Sequence, residues 1–199
     1  MVNTEHIHIY TSRFVENLAF SLYTQLRKHF SCTIYTRQIT YQDIKKRKTD
    51  EIFFFISPQS TISKSSLEHL VPKTYFIYQT EQLNNKERAE KFHNNDAMNK
   101  VLKNACSVFD YSKSNIIYYK YFYENPPLYL PFLPCKMNIN SNIEKSIDIL
   151  FYGSLNQRRY IIIEVLKKLL PNLHIEINEN LFGSELTKKI QQSKIILNI

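Results

Sequence analysis

Short apolar runs alternate with longer stretches of helical periodicity along the whole chain. Between Arg13 and about His29, apolar residues recur every four positions, which predicts a helix. Ser12 and Ser184 precede such stretches and are expected to cap the helices that follow. The apolar runs are typical of strands and lie at 5–11, 32–35, 52–56, 74–78, 107–109, 128–133, 147–151, 174–177 and 195–199.

Strands that alternate with helices at this spacing favour parallel sheets built from right-handed βαβ units. We therefore expect an α/β protein with a Rossmann-like N-terminal domain at 1–134 and a linker at 135–146. Residues 147–199 would form an incomplete second Rossmann-like domain. Its last apolar strand leaves an uncovered edge, which indicates that the domain is truncated, or that the first domain, an oligomer or another partner covers the strand.

Composition places the chain among globular proteins, with 43% hydrophobic and 22% charged residues. The formal net charge of +8 is dispersed, so it suits anionic small molecules as well as polynucleotides. The basic run at 45–48 is most simply a solvated surface. Separated cysteines, the lack of a secretory pattern and the lack of a membrane-length apolar run favour a cytoplasmic protein.

One stretch combines a buried strand, a glycine turn and a helix start. The apolar run at 147–151 stops at Gly153, one of only 2 glycines in the chain. A glycine turn lets backbone N–H groups approach a ligand, and a helix start adds unpaired donors and partial positive charge. Ser154, Asn156, Arg158 and Arg159 follow, and arginines can bind phosphate in a bidentate manner. This stretch predicts an anion site, although the alternative is an ordinary helix-start turn with solvated arginines.

Two polar clusters follow predicted strands of the first domain. Thr80, Glu81 and Gln82 end one strand, and Glu81 is a candidate general base for an acceptor hydroxyl. Asp110 and Ser112 end the next strand. The alternatives are a polar loop for the first cluster and helix capping for the second.

His6 and His8 alternate and so share one face of a strand. No third ligand is evident near them, and zinc sites need three or four converging ligands. We therefore predict no metal site.

The stretch Asp-Ile-Leu-Phe-Tyr-Gly-Ser-Leu-Asn-Gln-Arg-Arg at 148–159, within two Rossmann-like units, resembles glycosyltransferases of the GT-B fold. Three further segments are similar to glycosyltransferase-like proteins of bacteria and large DNA viruses: Tyr-Phe-Ile-Tyr-Gln-Thr-Glu-Gln-Leu at 75–83, Val-Phe-Asp-Tyr-Ser-Lys-Ser-Asn at 108–115 and Ser-Lys-Ile-Ile-Leu-Asn-Ile at 193–199.

The resemblance implies that the first domain binds an acceptor and the second a nucleotide-sugar. Thr80, Gln82, Asp110 and Ser112 would then lie on the acceptor side, and the turn from Gly153 to Arg159 would hold the donor phosphates. Such enzymes stabilise the departing nucleoside diphosphate without a bound metal, and the resemblance implies no further cofactor. The acidic segment with which many members hold the donor would lie beyond Ile199.

Three hypotheses follow. The first is a metal-independent transfer of a sugar from a nucleotide-sugar to a hydroxyl of a glycan or protein acceptor. The second is a non-catalytic relative that acts as a binding module. The third and weakest is a nucleic-acid-binding protein, which would show steep salt dependence.

Overall fold

A computed structural model describes residues 6–83, 95–119, 126–133 and 142–199. The chain divides into two compact units, Met1–Cys135 and Lys136–Ile199. A six-stranded sheet forms the centre of the first unit, and a three-stranded sheet forms the centre of the second. The protein is therefore an α/β protein with two separate parallel sheets, compatible with Rossmann-like domains.

The sheet of the first unit contains only parallel strand pairs, in the order β2-β1-β3-β4-β5-β6. Because β2 and β3 lie on opposite sides of β1, the direction of winding reverses between β1 and β3. In open α/β sheets this reversal opens a crevice at the carboxyl ends of the strands. The strands span His6–Tyr10 (β1), Ser31–Tyr35 (β2), Glu51–Ile56 (β3), Tyr75–Gln79 (β4), Ser107–Asp110 (β5) and Leu128–Tyr129 (β6).

Six described α-helices connect these strands. Most are short, and the longest has 11 residues. They span Glu16–Leu26 (α1), Tyr41–Lys46 (α2), Pro58–Thr61 (α3), Lys64–Leu67 (α4), Asp96–Asn104 (α5) and Lys113–Tyr119 (α6).

The first unit has a hydrophobic core on each face of its sheet. Alternate residues of a strand point to opposite faces, so β3 supplies Phe53 and Phe55 to one core and Phe54 and Ile56 to the other. The run at 52–56 is thus apolar throughout because both of its faces are covered, as expected for an internal parallel strand.

The second unit has the strand order β8-β7-β9, again with parallel pairs. The central strand β7 (Ile147–Tyr152) lies between β8 (Ile175–Asn178) and β9 (Ser193–Leu197). Helix α7 (Gln157–Leu169) follows β7, and helix α8 (Gly183–Gln192) precedes β9. Within the described residues β9 pairs on one side only, and its Ile195 is 55% exposed.

The predicted α/β class is confirmed, while several predicted element ends are wrong. The helix expected from Arg13 to His29 is a 3-10 turn at Arg13–Val15 followed by α1, which ends at Leu26. Ser12 occupies the cap position of that turn, but its side chain makes no capping hydrogen bond. Ser184 is not a cap, because α8 begins one residue earlier.

Part of the predicted linker at 135–146 lies outside the described residues. None of the described helices is both long and apolar enough to cross a membrane.

Candidate functional site

The carboxyl edge of the six-stranded sheet carries a row of buried polar residues. Gln79 ends β4 and Asp110 ends β5, and the two are paired in register. Ser57 follows β3, and its N–H donates to the carbonyl of Tyr78 at 2.9 Å. Ser57, Gln79 and Asp110 are 6%, 0% and 0% exposed. Buried polar groups cost free energy unless they are hydrogen-bonded, so their partners decide what this edge can do.

Ser57 has a backbone conformation that is unusual for a residue with a side chain. Its φ of 59° and ψ of 67° lie in the left-handed region. Such a residue stores strain of about 1–3 kcal/mol, and strained residues are concentrated at functional sites. The conformation turns the chain sharply from β3 into α3, which starts with Pro58. The Ser57 hydroxyl accepts a hydrogen bond from Nε2 of Gln59 at 2.9 Å.

Glu81 is joined to this edge through Gln59. Nε2 of Gln59 also donates to Oε1 of Glu81 at 2.7 Å, so one amide connects the end of β3 with the segment after β4. Glu81 itself is exposed. The predicted general base thus has a carboxylate that is oriented by a neighbour and open to solvent, as a base for an acceptor hydroxyl must be.

Asp110 is fully buried, and its carboxylate is hydrogen-bonded to neighbouring residues of the same sheet edge. One carboxylate oxygen accepts from the N–H of Ser112 at 2.8 Å. Nδ2 of Asn115 lies 3.2 and 3.1 Å from the two oxygens. Burial raises the pKa of Asp110 to about 6, although these hydrogen bonds lower it in part. A carboxyl pKa raised by burial is common at functional sites.

Asn115 connects Asp110 to the segment that carries Glu81. Its Nδ2 donates to the carbonyl of Glu81 at 2.7 Å, and its Oδ1 accepts from the N–H of Leu83 at 2.9 Å. Asn115 is 1% exposed. Ser112 also accepts from the N–H of Asn115 at 3.3 Å, so the expected capping role of Ser112 is present.

The remaining predicted residues of this edge have smaller roles. The N–H of Thr80 donates to Oε1 of Gln79 at 2.8 Å, and the N–H of Glu81 donates to the same atom at 3.3 Å. The Gln82 side chain shares a hydrogen bond with Tyr111, whose pKa is raised by burial. Nε2 of Gln79 is buried and has no partner among the described residues. Its orientation is fixed, because its oxygen already accepts from two backbone N–H groups.

The structure therefore brings together the two clusters predicted separately, after β4 and after β5. Ser57, Gln59, Gln79 and Asn115 were not predicted. Gln79 could have been found, because it continues the buried alternation of Tyr75 and Ile77 with a polar residue. The role of Asn115 depends on contacts with residues 34 and 32 positions away, which no local pattern encodes.

The glycine turn of the second unit lies at the carboxyl end of β7. Gly153 has a φ of +120°, which side-chain-bearing residues rarely adopt. Its N–H donates to the carbonyl of Asn178 at 3.0 Å, so this donor is used within the unit. Oδ1 of Asn156 accepts from the N–H of Arg159 at 2.9 Å and caps the 13-residue helix α7.

The two arginines differ in their surroundings. Arg159 donates through Nε to the main-chain oxygen of Ile199 and through Nη1 to that of Ser154, both at 2.8 Å. Its guanidinium also lies 5.9 Å from the ring centre of Phe151. Arg158 is exposed, as are Ser154 and Asn156. Arg159 therefore serves the packing of the unit, whereas Arg158 is exposed in the first turn of α7.

A carboxylate already approaches the turn. Oε2 of Glu179 accepts from the N–H of Leu155 at 3.1 Å. The first-turn N–H groups of α7 have no carbonyl acceptor within the helix. One of them, the N–H of Arg159, is capped by the Asn156 side chain. The turn can therefore hold an anion through Arg158 and the start of α7, in a position where it meets the charge of Glu179.

No metal site is found among the described residues, in which no group of three or more His, Cys, Asp or Glu side chains is placed to hold an ion. The rings of His6 and His8 do lie side by side, 4.5 Å apart. The His6 nitrogens lie 2.8 and 3.0 Å from the hydroxyls of Ser31 and Thr33.

Comparison with models of protein families gave no match for this chain. Comparison with curated proteins gave none either. We therefore infer function from the geometry of the two sheet edges.

Proposed function

We propose that this protein is a glycosyltransferase of the GT-B type, which transfers a sugar from a nucleotide-sugar to a hydroxyl acceptor. The second unit binds the diphosphate of the donor, and the first unit binds the acceptor. The observation that carries the proposal is the turn after β7, where Arg158 is exposed beside Ser154 and Asn156 at the start of α7. A helix start beside an exposed arginine provides both partial and full positive charge for a diphosphate.

The first unit supplies the general base of the proposed reaction. Glu81 is exposed and oriented by Gln59 at the carboxyl edge of the six-stranded sheet. In the proposed reaction, its carboxylate takes the proton of the acceptor hydroxyl while the oxygen bonds to the anomeric carbon. The bond from that carbon to the diphosphate breaks, and the nucleoside diphosphate leaves with the electron pair. Arg158 and the start of α7 stabilise the charge on this leaving group.

Calorimetry with UDP, GDP and their sugars tests the donor site. We expect saturable binding of at least one nucleotide and a loss of about tenfold or more in affinity for Arg158→Ala, because a charge-assisted pair to phosphate is removed. Arg13→Ala is the matched control, because Arg13 is an exposed arginine of the first unit. The absence of saturable binding, or equal affinities for Arg158→Ala and the wild type, counts against the proposal.

A second function is favoured by the internal bonds of the turn. Arg159, the N–H of Gly153 and the N–H of Leu155 all have partners within the second unit. A site with fewer free donors stabilises a departing diphosphate less, which suits a non-catalytic module that binds a nucleotide-sugar or glycan. Binding without release of nucleoside diphosphate in the presence of acceptors would support this module, whereas release of nucleoside diphosphate supports the enzyme.

A further inference from the structure

Asn115 occupies a buried position from which it contacts three groups at the carboxyl edge. It is 1% exposed and lies in the first turn of α6. Its amide donates to the carbonyl of Glu81 and to the carboxylate of Asp110, and its oxygen accepts from the N–H of Leu83. The orientation of the amide is fixed, because a reversed amide would place a donor against the N–H of Leu83.

We propose that Asn115 is a positioning residue that holds the backbone of the segment 81–83 and thereby keeps the carboxylate of Glu81 against Gln59. The inference depends on the proposed function only in the role that it gives to Glu81. Two of the contacts of Asn115 flank Gln82 on the main chain, so they fix the direction in which the Glu81 side chain leaves the chain.

Asp110 supports Asn115 from the other side. Its carboxylate accepts from the N–H of Ser112 and from Nδ2 of Asn115. A buried carboxylate opposite the amide leaves Asn115 with a single favourable orientation, because the alternative would place two oxygens against each other. Asp110 and Asn115 therefore form one unit, which we call the Asp110–Asn115 clamp.

Two variants separate the contacts of the clamp. Asn115→Ala removes every side-chain contact. The double variant Asp110→Asn with Asn115→Asp exchanges the two groups, so that the hydrogen bond between them and the acceptor for the N–H of Leu83 are both kept. The donor to the carbonyl of Glu81 is replaced by a carboxylate oxygen, which repels that carbonyl. This double variant retains the buried pair if Asn115→Ala does not fold, and Asn17→Ala on the exposed face of α1 is the matched control.

The first measurement is amide exchange and side-chain NMR, which require no activity. In Asn115→Ala we expect faster exchange of the Leu83 amide and loss of protection of the Gln59 side-chain amide. In the double variant only the Gln59 side-chain amide should lose protection. If Gln59 keeps its wild-type protection in both variants, Asn115 does not position Glu81 and the inference is overturned.

The second measurement is sugar transfer, with donor and acceptor varied separately. We expect the double variant to lower kcat by about 10- to 100-fold with the donor KM unchanged, since misplacing a catalytic group by about 1 Å has an effect of this size. An unchanged kcat in an active protein overturns the inference. If the wild-type protein transfers no sugar, the proposed function fails, and the NMR result alone decides whether Asn115 positions Glu81.

Discussion

Replacing Asp110 with Asn should change how the stability of the first unit depends on pH. The carboxyl group is 0% exposed and accepts hydrogen bonds from Ser112 and Asn115. An asparagine at this position keeps one oxygen, and Oδ1 of Asp110 lies within reach of both donors, at 2.8 and 3.2 Å. The substitution therefore removes the charge and keeps the acceptor for the N–H of Ser112. Its new amide nitrogen replaces the oxygen that lies 3.1 Å from Nδ2 of Asn115, and this contact between two donors adds a cost that does not vary with pH.

The size of the effect follows from the pKa of Asp110. Burial raises that pKa from 3.8 to about 6, so the folded protein binds the proton more tightly than the unfolded chain does. The stabilisation by this proton is complete below pH 3.8 and is lost as the pH rises through about 6. At about 1.4 kcal/mol per pKa unit, ionisation of Asp110 costs the folded state about 3 kcal/mol at neutral pH.

We therefore expect the difference in the free energy of unfolding, Asp110→Asn minus wild type, to increase by about 2–3 kcal/mol between roughly pH 4 and pH 7.5. Urea unfolding measures it, with tyrosine signals as the reporter, because Tyr10, Tyr75 and Tyr78 are buried in the first unit. Asp50→Asn is the control for the change in net charge, since Asp50 is exposed. A difference that stays constant with pH would refute the argument that a desolvated carboxylate is kept at this edge.

Three further predictions concern other contacts. Arg159→Ala should lower the free energy of unfolding by about 1–3 kcal/mol, because two main-chain oxygens lose a charged donor, whereas Arg158→Ala should leave it unchanged in the same urea titration. Gly153→Ala should cost about 2–3 kcal/mol and Gly183→Ala about 1 kcal/mol. A Cβ meets nothing within 4 Å at either site, so only the backbone opposes the change, and a φ of +120° is less accessible to alanine than a φ of +57°. Equal costs for the two glycines would contradict this reasoning. Burial and neighbouring His6 lower the pKa of His8 below 6.5. The wild type should therefore lose stability relative to His8→Gln as the pH falls through about 6.5. A difference in stability that does not vary with pH would contradict a lowered pKa of His8.

The strands could be predicted because their signal is local. The run at 52–56 is apolar at each position, since both faces of β3 are covered. Parallel pairing also followed from the alternation of strands and helices. Helix ends were less predictable. Ser184 has the residue type of a cap, yet α8 starts one residue earlier, at Gly183, which has a φ of +57°.

The sequence predicts where the candidate sites lie, but only in part which residues contact one another there. The ends of adjacent parallel strands meet at one edge, so the clusters after β4 and β5 had to lie near each other. Arg158 and Arg159 are neighbours with the same chemistry, and only the fold shows that one is exposed and the other bonded to Ile199. The clamp residue Asn115 required contacts between distant parts of the chain.

The proposed function requires that the turn after β7 binds the diphosphate of a nucleotide-sugar through Arg158. Calorimetric titration with UDP-sugars and GDP-sugars, repeated with Arg158→Ala and Arg13→Ala, measures this binding. We expect saturable binding that is weakened by Arg158→Ala and unaffected by Arg13→Ala. Binding that is absent, or that is equal in all three proteins, would contradict it.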